Sequence, residues 1–278
     1  MPNATKFRYT LDGGPNTPAG DGASNPGELP KIIGHRGCRA PGTFENTARA
    51  VSRALAEGAD IVEVDVVKTK DGHFVALHWP DIHFLGLPPW KYRLRELPRV
   101  DPISAILEAV GRRAALYLDV KQPLERGEFL ELAELVDRFQ LPEVIVGSFH
   151  RRVLVACTIH RPTWIANYDC LPFHRAIQEA KDLGAQWINP IAFGIRKSFV
   201  DEAVAAGLKF VPAGNEDDKR QLRYAKWGAY ALSTFRPARL RALLRGLLGS
   251  AAEHPATCHR FGPSEATREV PCGDDPPG

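Results

Sequence analysis

From residue 31 to residue 249 short apolar, β-branched runs alternate with longer stretches of helical periodicity. The pairs are "KIIGHRG" with "ENTARAVSRALAEG", "DIVEVDVV" with "PISAILEAVG", "ALYLDV" with "EFLELAELVDRF", and "EVIVGSF" with "RRVLVACTIH". They continue as "TWIANYD" with "FHRAIQEAKDLG", "AQWINP" with "KSFVDEAVAAG", "LKFVPAG" with "EDDKRQLRYAKWG", and "AYALST" with "PARLRALLRGLLG". The short runs are apolar nearly throughout, the mark of parallel strands covered on both faces. The longer stretches place apolar residues at i, i+3 and i+4, the mark of helices with one buried stripe. Gly58, Gly184, Gly207 and Gly228 stand where helix C-caps belong. Eight β-then-α units need crossover helices and predict an α/β fold, a single-domain (β/α)₈ TIM barrel. The second unit adds a short β-hairpin and loop after its strand. An open doubly wound sheet is the alternative, but it would more often carry a G-x-G-x-x-G turn after the first strand, and none occurs.

The flanks differ from this rhythm. Residues 1–30 and 251–278 are rich in Gly, Pro and polar side chains, and are expected to be flexible tails around a barrel domain of residues 31–250. The whole chain, 278 residues with 44% hydrophobic and 25% charged, is long enough for one large core. No apolar run reaches the roughly 18 residues that span a bilayer, and the N-terminus lacks the apolar stretch of a signal peptide, so no stable membrane insertion is expected. The five cysteines show no C-x-x-C spacing, which fits a reducing, cytoplasmic setting. Net charge is +3, but the tails carry −1 and −3, leaving +7 on the barrel segment. That favours a small anionic substrate. No Lys/Arg run with interleaved aromatics argues for nucleic acid, and no feature sets an oligomeric state.

Barrel chemistry gathers at the C-terminal ends of strands. There the chain places His35 and Arg36 after the first strand, Glu63 and Asp65 in the second, and Asp119 and Lys121 at the end of "ALYLDVK". Ser148, Asn167, Asp169, Asn189 and Asn215 end later strands. Residues two apart share a strand face, so Glu63 and Asp65 point inward together, as do Tyr117, Asp119 and Lys121. Three converging carboxylates repel unless something neutralises them. A hard divalent cation, Mg²⁺ or Ca²⁺, would do so, and zinc fits oxygen donors less well. A buried ionic network of Glu63 and Asp65 with Arg36 and Lys121 is the plainer alternative. His35 and His78, which the "KDG" turn returns to the same rim, add a general acid and base near neutral pH. Arg36 and Lys121 suit a phosphoryl group. Together these are the parts of metal-assisted phosphodiester cleavage.

Three segments, "IIGHRGCRAPGTFENT", "GADIVEVDVVKTKDGHFVALHW" and "LYLDVKQP", resemble the glycerophosphodiester phosphodiesterase family, with weaker echoes in "GSF" and "LSTFRP". The similarity runs over roughly residues 31–245, in the second half mainly through the βα rhythm. The resemblance implies a TIM barrel and one divalent cation, Mg²⁺ or Ca²⁺. It implies lipid-metabolic hydrolysis of a glycerophosphodiester to glycerol phosphate and an alcohol. It makes His35 and His78 the acid/base pair, Glu63, Asp65 and Asp119 the metal ligands, and Arg36 and Lys121 the phosphate contacts. In the usual mechanism of the family a neighbouring hydroxyl of the substrate attacks phosphorus and water opens the cyclic product. Glu45 and Asn46 match the "ENT" of the family and read as loop-fixing. The chain departs from the pattern at four places. Asp119 stands where members usually carry Glu, and Trp79 where an Asp follows the second histidine, with Asp81 nearby. The connection 79–101 is short, and "VPAGN" replaces a Trp-Thr-Val-Asn signature. These surround the alcohol side, so a non-standard alcohol is expected. A cyclising phospholipase-D-like barrel, which shares the Asp-x-Lys pair, a sugar-phosphodiester (opine-type) enzyme, and an inert phosphodiester binder are alternatives. Trp164, Trp187 and Trp227 are expected in the core or wall, Phe84, Trp90 and Tyr92 at the cleft mouth, and Cys38 in a packing role.

Overall fold

The computed structural model describes residues 28–78, 86–191, 194–214 and 216–253. Most of both predicted tails lies outside the described residues, as do Trp79, Asp81, Phe84 and Asn215. The elements are β1 (Lys31–Gly34), α1 (Ala48–Ala56), β2 (Ile61–Lys68), β3 (Phe74–Ala76), β4 (Asp101–Pro102), α2 (Ile103–Val110), β5 (Ala115–Val120) and α3 (Arg126–Asp137). They continue with β6 (Val144–Ser148), α4 (Arg151–His160), β7 (Ile165–Cys170), α5 (Arg175–Asp182), β8 (Trp187–Pro190), α6 (Lys197–Ala205), β9 (Lys209–Phe210), α7 (Asp218–Lys226), β10 (Ala231–Thr234) and α8 (Pro237–Glu253).

Eight strands pair in parallel in the order β10-β1-β2-β5-β6-β7-β8-β9. The two ends of that path meet where the N–H of Tyr230, just before β10, donates to the carbonyl of Phe210 in β9 at 2.9 Å. The fold is the (β/α)₈ barrel that the alternating pattern predicts. The predicted hairpin is β2 turning through Thr69–Gly72 into antiparallel β3. Gly72 takes a φ of +90° there, which suits glycine. The second partner of β3, the two-residue β4, carries no strand signal in the sequence.

Burial follows the two faces of each strand. Val62, Val64 and Val66 of β2 and Leu116, Leu118 and Val120 of β5 pack outward among residues of the helices, including Val51, Ile106 and Phe129. Ile33, Ile61, Ala115, Tyr117, Ile145, Trp187, Val211 and Ala231 fill the barrel itself. Trp187 is fully buried inside, Trp164 is buried against the edge of Phe129, and Trp227 packs half-buried against the outer core. Cys38 is buried in that outer core, in the packing role expected of it. All four C-cap glycines adopt positive φ. Among the described residues no helix is long and apolar enough to cross a membrane.

Candidate active site

The turn after β1 builds the first wall of the site. Arg36 adopts a left-handed backbone with φ +51°. Its N–H then donates to Glu63 Oε2 at 2.7 Å, and its carbonyl accepts the Asn46 N–H at 3.0 Å. Asn46, also left-handed at φ +56°, turns its amide onto β2. Its Nδ2 donates to Asp65 Oδ2 at 2.8 Å, and its Oδ1 accepts the Asp65 N–H at 2.9 Å. Asn is among the few residues that tolerate this backbone region. The clamp explains why a buried asparagine stands before Thr47, which caps α1 by accepting the Ala50 N–H. Glu45 pairs with Arg36 and Arg39, so both "ENT" residues fix the loop.

Strand register brings the carboxylates together. Asp65 lies opposite Asp119, and Glu63 opposite Tyr117. One oxygen each from Glu63, Asp65 and Asp119 lies within 4.8 Å of the others. The predicted cations are there too. Arg36 Nε lies 2.9 Å from Asp65 Oδ2, Lys121 Nζ lies 3.0 Å from Asp65 Oδ1, and Lys121 also pairs with Asp119. Asp65 therefore has the ionic partners of the plainer reading, while Glu63 does not.

Burial alone would raise the Asp65 carboxyl, but Lys121 and Arg36 outweigh it and hold the group below its ordinary value. Glu63 is pushed well above its usual range by burial and then by Asp65 and Asp119. Burial, opposed by Lys121, raises Asp119 as well. Glu63 Oε1 and Asp119 Oδ1 are buried without a hydrogen-bond donor, whereas Asp65 Oδ1 has the Lys121 ammonium at 3.0 Å. Buried acceptors without donors are costly, and a cluster of hard oxygens fits Mg²⁺ or Ca²⁺.

His35 closes the other side. Its Nε2 lies 3.9 Å from Glu63 Oε2, and its ring packs at a tilt of 36° against Phe235 with centroids 4.6 Å apart. Burial, then the neighbouring Arg36 charge, pushes its imidazole down to about 3, so it is neutral at ordinary pH. A Cβ on Gly214 would stand 2.5 Å from His35 Nδ1, closer than real contacts allow. Gly214 is thus a shape requirement for the histidine.

Beneath the carboxylates lies a polar layer. Tyr117 is fully enclosed, and its hydroxyl reaches Asp169 Oδ1 at 3.2 Å while Asn189 donates to that hydroxyl at 3.1 Å. Asn167 donates to the same hydroxyl. Gly147 makes room for the ring, since a Cβ there would meet the hydroxyl oxygen at 2.3 Å. The strand-end pattern marked Asp169, Asn167 and Asn189, but only the fold showed that all three meet at the Tyr117 hydroxyl. Phe235 and Gly214 carried no sequence signal beyond their neighbourhood. Ser148 is structural: its hydroxyl donates to the Val120 carbonyl at 2.7 Å and accepts the His150 N–H at 3.0 Å.

Two cavities meet at Arg36. The inner one, about 200 Å³, is bordered by His35, Glu63, Tyr117, Asp119, Asp169 and Asn189 among others. The outer cleft, about 940 Å³, is bordered by His78, Arg39, Phe44, Asn46, Arg49 and Arg99 among others. His35 borders the inner cavity and His78 the outer cleft, with Arg36 bordering both. Trp90 and Tyr92 border neither cavity.

This centre, on this frame, has relatives. Residues 35–84 match the model of the Glycerophosphoryl diester phosphodiesterase family. A glycerophosphodiester phosphodiesterase of Caldanaerobacter subterraneus is 49% identical over 243 residues, covering 77% of this chain and 97% of that protein. A glycerophosphodiester phosphodiesterase of Parabacteroides distasonis superposes with a TM-score of 0.68 at 21% identity, over 81% of this chain and 98% of that one. An Oleispira antarctica phosphodiesterase, solved with the product sn-glycerol-3-phosphate, gives a TM-score of 0.69 at 20% identity, over 78% of this chain and 97% of that one. The class is that of barrel phosphodiesterases, phosphoric diester hydrolases. Within it, the chain belongs to the glycerophosphodiester phosphodiesterase family.

Proposed function

We propose that the protein hydrolyses a glycerophosphodiester-type substrate to glycerol phosphate and an alcohol, with a divalent cation and the histidines His35 and His78. The observation that carries this is the group of buried carboxylates Glu63, Asp65 and Asp119, with oxygens within 4.8 Å of one another, beside a neutral His35. The sn-glycerol-3-phosphate product bound by the Oleispira antarctica phosphodiesterase supports glycerol phosphate as the phosphorus-bearing product and the alcohol as the leaving group.

Glu63, Asp65 and Asp119 would hold Mg²⁺ or Ca²⁺, which supplies Lewis-acid stabilisation of charge on the phosphoryl oxygens. The residues of the chain do the rest. Arg36 and Lys121, fixed by Asp65, keep positive charge at the cavity rim for the anionic phosphodiester. Neutral His35 would take a proton from the neighbouring substrate hydroxyl that attacks phosphorus while His78 gives one to the departing alkoxide, and water would then open the cyclic phosphate with the two histidines in exchanged roles, leaving the monoester. Phe235 and Gly214 hold the His35 ring in one orientation. Cys38, Cys157 and Cys170 are buried free thiols, in keeping with work in a reducing, cytoplasmic compartment.

³¹P NMR of products from a panel of glycerophosphodiesters, lysophospholipids and sugar phosphodiesters tests the reading. The expected result is an open monoester, formed only with divalent cation and lost in His35→Ala. Turnover that persists in chelator, or in His35→Ala, overturns it. A cyclic phosphate as the final product would replace the hydrolase by a cyclising lyase.

A further inference from the structure

The outer cleft carries a charge that the reaction centre does not use. His78 borders it, and the proposed task of His78 is to hand a proton to the departing alkoxide. The alcohol half of the substrate therefore lies in this cleft. The inner cavity, about 200 Å³, suits the compact glycerol phosphate half, and the cleft, about 940 Å³, has room for a larger group.

Four arginines border the cleft, Arg36, Arg39, Arg49 and Arg99, against two carboxylates, Glu45 and Asp101. Both carboxylates are engaged. Glu45 is shared by Arg36 and Arg39. Asp101 Oδ2 accepts the Ala48 N–H at 2.8 Å, at the start of α1. Arg36 further serves Asp65, and the Arg39 guanidinium lies over the Phe235 ring, 4.2 Å from its centroid. Arg49 and Arg99 enter none of the ion pairs among the described residues. They reach the cleft from separate segments, Arg49 in the first turn of α1 and Arg99 just before β4. Single exposed arginines are ordinarily solvated, but cations gathered on the walls of one cleft focus a field that draws an anion in. Phe44, 81% exposed on the same cleft, offers apolar surface to a carbon skeleton.

The charge balance selects among alcohols. A cationic alcohol such as choline would meet Arg49 and Arg99 unfavourably, and a neutral one would leave both unused. A phosphate monoester carries roughly −1.5 to −2 at neutral pH, which matches two arginines, and its oxygens suit their forked donors. We infer that the cleft is a subsite for an alcohol that carries its own phosphate, held by Arg49 and Arg99. The preferred substrate is then a glycerophosphodiester with a second phosphate on the alcohol. This rests on the glycerophosphodiester reading proposed above and narrows its alcohol half.

Three substrates with the same scissile diester test it: glycerophosphoinositol, glycerophosphoinositol phosphate and glycerophosphocholine. Released glycerol phosphate gives kcat/KM for each. With the intact protein at low salt, the phosphorylated diester should exceed glycerophosphoinositol by about tenfold, mainly through KM, with the choline diester lowest. The advantage should shrink as salt rises past about 0.1 M, where the Debye length is about 10 Å. Arg49→Gln combined with Arg99→Gln should bring the ratio of phosphorylated to unphosphorylated substrate close to one. Arg49→Lys combined with Arg99→Lys should keep most of it. A ratio near one in the parent protein, or a ratio that survives the glutamine pair, overturns the subsite. A lysine pair that loses as much as the glutamine pair, or a preference indifferent to salt, overturns recognition by charge. A parent protein that cleaves all three alike leaves the hydrolase reading standing and removes only the subsite. One that cleaves none of them overturns the glycerophosphodiester reading itself, and the subsite with it.

Discussion

The lower and upper halves of the barrel interior are made by the same strands and obey opposite rules. Along β2, Ile61 packs against the apolar floor, while Glu63 and Asp65, two and four residues on, are buried carboxylates. Along β5 the sequence is Ala115 in the floor, Tyr117 at the boundary, then Asp119 and Lys121 at the rim. Trp187 is floor, and Asn189 is rim on the same face of β8. The floor gains stability by burying apolar surface. The rim spends it, by burying oxygens that nothing in the chain fully satisfies. The lesson is that one parallel sheet carries both tasks because inward residues along a strand step from one layer to the next. The rim can be unfavourable only because the floor is not.

Three variants or conditions break that contrast in different places, in decreasing order of effect. Trp187→Ala empties the floor, and its ring contact with Tyr230 at 5.2 Å is lost. It should destabilise the fold by about 3–5 kcal/mol, read as a lower denaturation midpoint at unchanged slope. A loss under about 1 kcal/mol would show that the floor does not bear the stability. Gly214→Ala acts on the rim. The added Cβ must push the His35 ring from its place, since it would meet Nδ1 at 2.5 Å. The expected result is roughly a hundredfold loss in kcat with a melting temperature close to the parent, because misplacing a reacting group by about an ångström has that effect. Parent-like kcat would mean that His35 has room the packing denies it.

The smallest effect is a pH dependence. The Glu63 carboxyl is raised by burial, Asp65 and Asp119. A cation at this site must compete with the proton that Glu63 retains as pH falls. The thermal stabilisation given by Ca²⁺ should thus be fullest at mildly alkaline pH. There it is worth about 2.7 kcal/mol at roughly a hundred times the dissociation constant. It should shrink toward about pH 5. In metal-free protein the same raised group acts the other way. Its stabilising share is present at low pH and declines as pH rises above the ordinary glutamate value. His35 opposes that trend. Its folded value of about 3 is below the ordinary value, so its share is present above about pH 6.5 and is lost as pH falls toward its folded value. Scanning calorimetry with and without Ca²⁺ reads both slopes; parallel curves would remove the proton–cation competition.

Much of this frame was legible because local rules suffice for it. The unbroken Val and Ile runs gave the parallel strands, and the helix-ending glycines gave the punctuation. The two-residue period put Glu63 with Asp65 and Asp119 with Lys121 on inward faces. What was not legible depends on pairing across strands. Nothing in "TWIANYD" says that Asp169 meets Tyr117, which lies 52 positions away; the contact exists because the Tyr117 side chain reaches across the barrel interior to β7. Nothing in "LKFVPAG" marks Gly214 as the neighbour of His35, 179 positions earlier in the chain. That His35 borders the inner cavity and His78 the outer cleft was likewise invisible, since both follow short rim turns. β4, two residues long, had no period to detect.

The sequence by itself therefore determined the barrel, the faces of its strands and the residue types of the site, because periodicity and side-chain chemistry are local properties. Only the tertiary structure decided which carboxylates are already matched by cations and which are open. Asp65 reads like Glu63 in the sequence. It differs because Arg36 and Asn46 come to it from the turn after β1, and Lys121 from the end of β5. The charge balance of a buried group is a sum over neighbours, and the neighbours are set by the fold.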